Sequence, residues 1–564
     1  MTVIRSALER PDMVVAVEDV ANLGVVCRVS AADYRSAIAA LRDCDLAFDA
    51  LVDVFGIDTG EAVDVVCRLR SFSRDEEVTV KAAHAYDAPL ASIWDIFPAA
   101  LMPERELSEL FGLALKGHPN PRRLLTTDGC APYLRKSVDI RNAEEVRDRG
   151  AQVIDVAALD GLAGPIVAEP GVGEPEVGED TATPPSLPAG LKRVPTSVDV
   201  DRAEHLMLNM GPQHPSTHGV LRLILELDGE RIVSGEASIG YLHRGIEKLA
   251  ESRRFSAVGT LLDRGDYVSG IHNELAFALA TEKLLEVEVP SRAQYLRSLV
   301  GELNRIGSHI CWYGPMGLDT GAMGAFLYTF RDREVILDIL EDITGARMMF
   351  NYVRPGGVVR DLTTTAEAKI RTFLDDFAVH VEENAELLMG NEIFQARTQG
   401  VGVLNRDAAL AFGLSGANLR GSGVAWDLRR DRPYAAYPEL DFDVPVAEEG
   451  DVYARCSVRI EEMRQSARMI RQCIDGLPEG EFTAKVPKVL RPPVGEAYAA
   501  VESPRGELGI HLVSDGSDAP YRMRYRPPAL YALQAGEALL PGSLIADAVV
   551  FMGSMDLILG EVDR

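Results

Sequence analysis

The sequence predicts an α+β protein with a small α/β domain over residues 1–150 and a larger, mainly helical domain over 198–564 that carries small β elements at both ends. Three observations predict it. Helical patterns alternate with β-rich runs in the first 150 residues, a Pro, Gly, Ala and Glu-rich stretch then interrupts all apolar periodicity, and helical periods dominate the remainder. At 564 residues the chain is too long for one ordinary core, and its 47% apolar content suffices for two.

In the first domain, residues 34–41 read as a helix and residues 62–70 and 77–83 as strands. The run GPIVAEPGVGEPEVGEDTATPPSLPAG has no period able to build a core, so 151–197 is expected to be an extended acidic linker. Gly171 and Gly173 lie within it; they follow no strand and open no helix, which argues against a dinucleotide fingerprint. The larger domain opens with a hairpin over 220–227 and 231–234, turned by Asp228-Gly229. Ile370, Phe373, Leu374, Phe377 and Val381 then mark one helical face, with Thr364 and Glu367 as a capping box. A second face comes at Ile460, Met463, Ala467, Ile470 and Ile474, stopped by Gly476. The tail over 496–526 reads as β-rich, with a turn at Ser514-Asp515-Gly516.

The net charge of -28 excludes a sequence-independent grip on nucleic acid, which needs clustered Lys and Arg, and favours protein partners. No run of about 18 residues stays apolar and uncharged; the nearest, 311–330, is broken by Gly, Pro and Asp319. No secretory pattern follows Met1, which predicts a cytoplasmic location. The seven cysteines, Cys27, Cys44, Cys67, Cys130, Cys311, Cys456 and Cys473, include no C-x-x-C pair, so buried free thiols are expected rather than a metal or cluster site.

The run Gly211-Pro212-Gln213-His214-Pro215-Ser216-Thr217-His218-Gly219 is an unusual loop whose prolines fix its path and whose two imidazoles face whatever it approaches. With Val220-Leu221-Arg222 it resembles the first hairpin loop of the D subunit (49 kDa-type) of complex I, the NADH–quinone oxidoreductase family. Further similar segments come in the family's order: GYLHRGIEK from Gly240, DRGDYVSG from Asp263, GLDTGAMGAF from Gly317, YVRPGG from Tyr352, LRGSGVAWDLR from Leu419, EEMRQS from Glu461, RGELG from Arg505, LVSDG from Leu512 and the terminal GEVDR. In the first domain, PERELSELFG from Pro103 and KGHPNPRRLL from Lys116 resemble the C subunit (30 kDa-type), while Pro132-Tyr133-Leu134-Arg135-Lys136-Ser137 departs from that family's ending. The resemblance is therefore to fused C and D subunits, the first domain docking and the second, similar in fold to the large subunit of [NiFe] hydrogenases, forming a quinone site.

By that resemblance His218 and Tyr267 match the residues that hold the quinone headgroup, with His214 on the same loop, and Asp319 matches the carboxylate that pairs with the histidine. These residue types suit the reaction, because a quinone takes up two electrons and two protons and needs donors at its carbonyl oxygens. A tyrosine, with a reference pKa of about 10, is a neutral donor at neutral pH, and a carboxylate beside an imidazole favours its protonated form. His243, Arg244 and Arg264 match positions next to a 4Fe-4S cluster held by a B-type partner; the alternative for them is a solvated face paired with Glu247 or Glu251. The family implies a quinone substrate and no cofactor bound by this chain, with FMN in a further partner left open. It also implies I-type, H-type and A-type neighbours, and a peripheral place on the cytoplasmic side of the membrane.

Two departures bear on function. Gly345-Ala346-Arg347-Met348-Met349-Phe350 has Met349 where the family often has a histidine, and Pro492-Pro493 runs almost directly into Val494-Gly495-Glu496 where the family has a further helical segment. They leave open a divergent complex with another electron donor, or a scaffold with a decayed quinone pocket. A hydrogenase reading needs two C-x-x-C pairs, but the corresponding stretches are Tyr241-Leu242-His243-Arg244-Gly245 and Gly560-Glu561-Val562-Asp563-Arg564.

Overall fold

The computed structural model describes residues 2–8, 15–127, 130–138, 205–214 and 219–564; the expected linker, with Gly171 and Gly173, lies outside them. Five strands, Val15–Val20, Gly24–Ser30, Ala50–Asp58, Val63–Ser71 and Glu76–His84, form the N-terminal sheet. The second pairs in parallel with the fifth, and all other neighbours run antiparallel. Helix Tyr34–Asp43 buries Tyr34, Ile38 and Leu41 in the core of this domain. All nine residues of Ala50–Asp58 are buried, as befits a strand covered on both faces: Phe55 and Ile57 pack with Val513 and Tyr521 of the second half, while Gly56 meets Leu107 and Phe111 of helix Leu101–Phe111.

The second half opens with a three-stranded antiparallel sheet of Leu206–Met210, Arg222–Asp228 and Arg231–Ser238, so the expected hairpin is present with its second strand four residues longer. Helices Ser291–Asp319, Met323–Thr344, Thr364–Met389 and Val452–Asp475 then form a bundle in which each packs against two of the others. The expected cap is corrected: Thr363, not Thr364, caps the third helix, its hydroxyl accepting from the Ala366 amide, and Glu367 lies one position too late for a capping box and pairs with Arg371. Gly476 does end the last of these helices. No helix lies between Asp475 and Gly495; the path is irregular there. Strands Gly495–Ser503, Gly506–Ser514 and Arg522–Arg526 form the C-terminal sheet, which lies against helix Gly270–Leu285.

The two sheets meet through buried charge. On Arg522–Arg526 the strand alternation puts Arg522, Arg524 and Arg526 on one face and Met523 and Tyr525 on the other. Arg524 clasps Asp53 with two bonds of 2.9 Å and reaches Glu106 at 2.6 Å and Glu247 at 3.3 Å. Arg522 and Arg526 donate to the carbonyls of Gly56 and Val52 at 3.0 and 2.7 Å, and Arg564 pairs with both Glu106 and Glu247. Further along, Arg70 forks onto Glu507, and Lys81 onto Glu496 at 2.5 Å. Burial alone would raise the Glu507 carboxyl, but Arg70 and Arg526 overcome it and hold it down at about 2.

Removing one member strands the others in a dry interface. Arg524→Ala is expected to destabilise the chain by at least about 3 kcal/mol, read as a lower denaturant midpoint. Glu507 titrates near pH 4.5 when unfolded and near 2 when folded, so its contribution is complete above about pH 4.5 and is lost as pH falls through about 2. Acid melting curves should show that loss in the native chain and a smaller one in Glu507→Gln.

Candidate functional site

Tyr267 sits on the loop between helices Phe255–Leu262 and Gly270–Leu285. Asp266 braces the loop: one oxygen accepts from the Val268 and Ser269 amides, each at 3.1 Å, and the other from Arg505 at 2.6 Å. Arg505 comes from the turn between the first two strands of the C-terminal sheet, and it also reaches Asp556 at 3.3 Å and the Ser308 hydroxyl at 3.2 Å. The Tyr267 ring lies against Gly560, where an added Cβ would sit 3.3 Å from the ring and 2.6 Å from the Gly265 carbonyl. The hydroxyl makes no hydrogen bond to a described residue. Burial first, and then the neighbouring Asp266 charge, raise its pKa, which keeps the phenol protonated at neutral pH.

The loop that carries His214 closes beside this point. His214 bridges to Gly219, and the Gly219 backbone packs on Leu559, the residue before Gly560. His218 lies outside the described residues. Asp319 is half-buried at the end of helix Ser291–Asp319. That helix passes near the tyrosine at Cys311, and Asp319 stands eight residues, or about 12 Å of helix rise, beyond it.

The charged group expected near a partner's cluster divides in two. His243 is engaged at both nitrogens, one 2.5 Å from the Tyr133 hydroxyl of the N-terminal domain and the other 2.5 Å from the Asp563 carbonyl, so it ties the two halves together. Arg244 and Arg264 are exposed and close enough that, after partial burial, the Arg264 charge lowers the Arg244 pKa. Neither pairs with Glu247, which is held by Arg522, Arg524 and Arg564, nor with Glu251, which is held by Lys136 and Lys248. Met349 adopts a left-handed backbone (φ +57°), two residues before the Asn351 amide that donates to Asp263 at 3.2 Å.

Sequence reasoning missed Asp266, Arg505, Asp556 and Glu561. Asp266, Arg505 and Glu561 stand inside the DRGDYVSG, RGELG and GEVDR segments, so position pointed to them, but no chemistry of their own did. The histidines outside the quoted segments are bonded, among them His309 to Glu462 at 2.9 Å, His272 to the Ser269 hydroxyl at 2.7 Å and His380 to Asp332 at 2.8 Å. All seven cysteines are free thiols; Cys27, Cys67, Cys456 and Cys473 are buried, whereas Cys44, Cys130 and Cys311 are only half-buried, a correction to the expectation. Among the described residues no group of three or more His, Cys, Asp or Glu is arranged to hold a metal, and no helix is long and apolar enough to cross a membrane. Gly560→Ala is expected to cost about 1–3 kcal/mol through the clash with Gly265 and Tyr267, read as a lower thermal midpoint.

Comparison with known proteins matches residues 27–144 to the family described as respiratory-chain NADH dehydrogenase, 30 Kd subunit, and residues 319–493 and 485–564 to that described as respiratory-chain NADH dehydrogenase, 49 Kd subunit. The two pieces of the second match overlap at 485–493, a stretch that includes Pro492-Pro493. An NADH-quinone oxidoreductase D subunit of Solibacter usitatus, the one numbered 2 there, is 49% identical over 371 residues, 66% of this chain and 100% of that protein. The NADH-quinone oxidoreductase D subunit of Desulforamulus reducens is 47% identical over 362 residues, 64% of this chain and 99% of that protein, and its namesake in Bacillus mycoides is 46% identical over 363 residues, with the same shares of 64% and 99%. The chain therefore belongs to the family of NADH-quinone oxidoreductase D subunits, the 49 kDa family of complex I, and carries a 30 kDa-type domain in the same polypeptide.

Proposed function

We propose that this chain forms the quinone-reducing wall of a membrane-attached complex I, with residues 1–150 as a docking domain, 151–197 as linker and 198–564 as the domain that receives the headgroup. The observation that carries the reading is the Tyr267 hydroxyl: it has no hydrogen bond to a described residue, stands on a loop clamped by Asp266 and Arg505, and lies beside the end of the His214–Gly219 loop. A clamped loop costs little reorganisation when its donor meets a carbonyl oxygen.

In this reading Tyr267 donates to one quinone oxygen and His218 to the other, with Asp319 favouring the charged imidazole until it gives up its proton. His214 lines the approach. Electrons come from a 4Fe-4S cluster of a B-type partner subunit, and the exposed, mutually repelling Arg244 and Arg264 suit a surface that meets an anionic centre, because positive charge there stabilises the added electron. His243 serves that face indirectly, by fixing the segment that bears the two arginines to Tyr133 and Asp563. An I-type ferredoxin-like subunit and H-type and A-type membrane subunits complete the surroundings, on the cytoplasmic side of the membrane, and FMN belongs to a more distant partner. Proton translocation is the work of the whole complex.

A second reading, a divergent complex fed by a donor other than NADH, is favoured by the stretch between Asp475 and Gly495, which has no helix where the family has a further helical segment. The subunits that co-purify decide between the two: a flavin- and NADH-binding module supports the first reading, and its replacement by another donor module supports the second.

Tyr267→Phe removes the donor and keeps the ring on Gly560. In the intact complex the turnover of quinone reduction should fall by about 100-fold, with assembly unchanged. Unchanged turnover would favour a scaffold whose pocket no longer works.

A further inference from the structure

Away from Tyr267, a cavity of about 380 Å3 opens at the seam between the two halves of the chain. Its size falls in the range of small-molecule sites, roughly 300–1,000 Å3. The charged lining is four cations, Arg68, Arg70, Lys283 and Arg432, against one carboxylate, Glu77. In a chain with a net charge of -28, such a concentration of positive charge around one concave space calls for a physical account.

Two of the four cations are matched. Arg70 forks onto Glu507 and also holds Glu77 at 2.6 Å, and Arg432 pairs with Asp75 at 2.6 Å. The other two are not. Arg68, on strand Val63–Ser71, is only 3% exposed, and its guanidinium lies 4.0 Å from the centre of the Tyr498 ring. It reaches the shared Glu77 at 3.4 Å, long for a bond between charged groups, and its Nη2 has no hydrogen-bond partner among the described residues. Lys283, on helix Gly270–Leu285, is exposed and donates to the Tyr498 carbonyl at 2.9 Å, which leaves two of its three N–H groups to give. After partial burial, the Arg68 charge lowers the Lys283 pKa, so the two cations stand close enough to repel each other.

A backbone donor faces the same space. Strand Gly495–Ser503 is an edge strand, paired only with Gly506–Ser514. On its other edge the Tyr498 amide donates to the Asn22 carbonyl at 3.3 Å, and the Glu502 amide to the Tyr434 hydroxyl at 3.0 Å. The two-residue period of a strand puts the Ala500 amide on that edge between them, and Ala500 lines the cavity. A guanidinium, an ammonium and an amide therefore converge from both halves of the chain. Three donors suit the three terminal oxygens of a phosphate ester better than the two of a carboxylate, and Leu279 and Leu428 add an apolar wall beside them.

We propose that this cavity binds a small phosphate monoester across the seam, its phosphate held by Arg68, Lys283 and the Ala500 amide and its organic part against Leu279 and Leu428. Because the donors come from both halves, the ligand binds only when the halves are docked, and it stabilises that arrangement by mass action.

The test follows the thermal midpoint of the full-length chain as phenyl phosphate is added at constant ionic strength. The midpoint should rise and saturate. Lys283→Gln removes an exposed charge and should raise the half-saturating concentration at least about tenfold, whereas Lys488→Gln, which removes an exposed lysine from outside the cavity, should leave it unchanged. Benzoate, the same ring with a carboxylate, should need a concentration at least about tenfold higher than phenyl phosphate. A midpoint that does not saturate, or an equal response in the native chain and Lys283→Gln, would overturn the proposal. So would a loss in Lys488→Gln as large as that in Lys283→Gln, and benzoate acting as well as phenyl phosphate would overturn the assignment to phosphate.

Discussion

Buried arginine held between carboxylates is the interaction on which this molecule depends. The chain carries a net charge of -28, yet among the described residues ten of the twelve largest fully buried side chains are arginines, so the core of this acidic chain is laced with cations. Such pairs are poor sources of net stability, because desolvation offsets most of the Coulomb attraction. They are good sources of geometry. Arg524 is satisfied only when Asp53 and Glu106 of the first half and Glu247 of the second converge on it, which fixes how the two sheets sit.

The same device recurs towards the chemistry. Within the second half Arg420 bonds Glu462 and Glu502, and Arg429 bonds Asp427 and Glu302, so the bundle and the C-terminal sheet share one polar interior. At its edge Arg505 bonds Asp266 and thereby fixes the loop that carries Tyr267. The Tyr267 hydroxyl on that loop makes no hydrogen bond to a described residue. A frame held by paired charges keeps such a loop in one geometry, and in the proposed reading that spares the site reorganisation when a headgroup arrives.

Much of this was legible in the sequence. The apolar spacing of Ile370 to Val381 and of Ile460 to Ile474 located two bundle helices, and Asp228-Gly229 located the hairpin, because those signals depend on local periodicity and turn chemistry. The interface was not legible, for a physical reason: Arg522, Arg524 and Arg526 alternate along a strand as a solvated face does, and only the opposing Asp53, Glu106 and Glu247, hundreds of residues away in the chain, make that face a core. The capping box failed because the helix starts one residue earlier than the Thr364–Glu367 spacing suggests. At the site, family resemblance pointed to Tyr267, while the acids behind it stayed silent, since nothing local shows that Asp266, Asp556 and Glu561 share one arginine.

The quinone-wall reading is tested most directly by a structure of the intact complex with a short-chain quinone bound. A headgroup oxygen is expected within about 3 Å of the Tyr267 hydroxyl, with the Arg505–Asp266 clamp unbroken and both halves of the chain in the relative arrangement set by Arg524. A headgroup bound elsewhere, with the Tyr267 hydroxyl sealed from the quinone cavity, would contradict it.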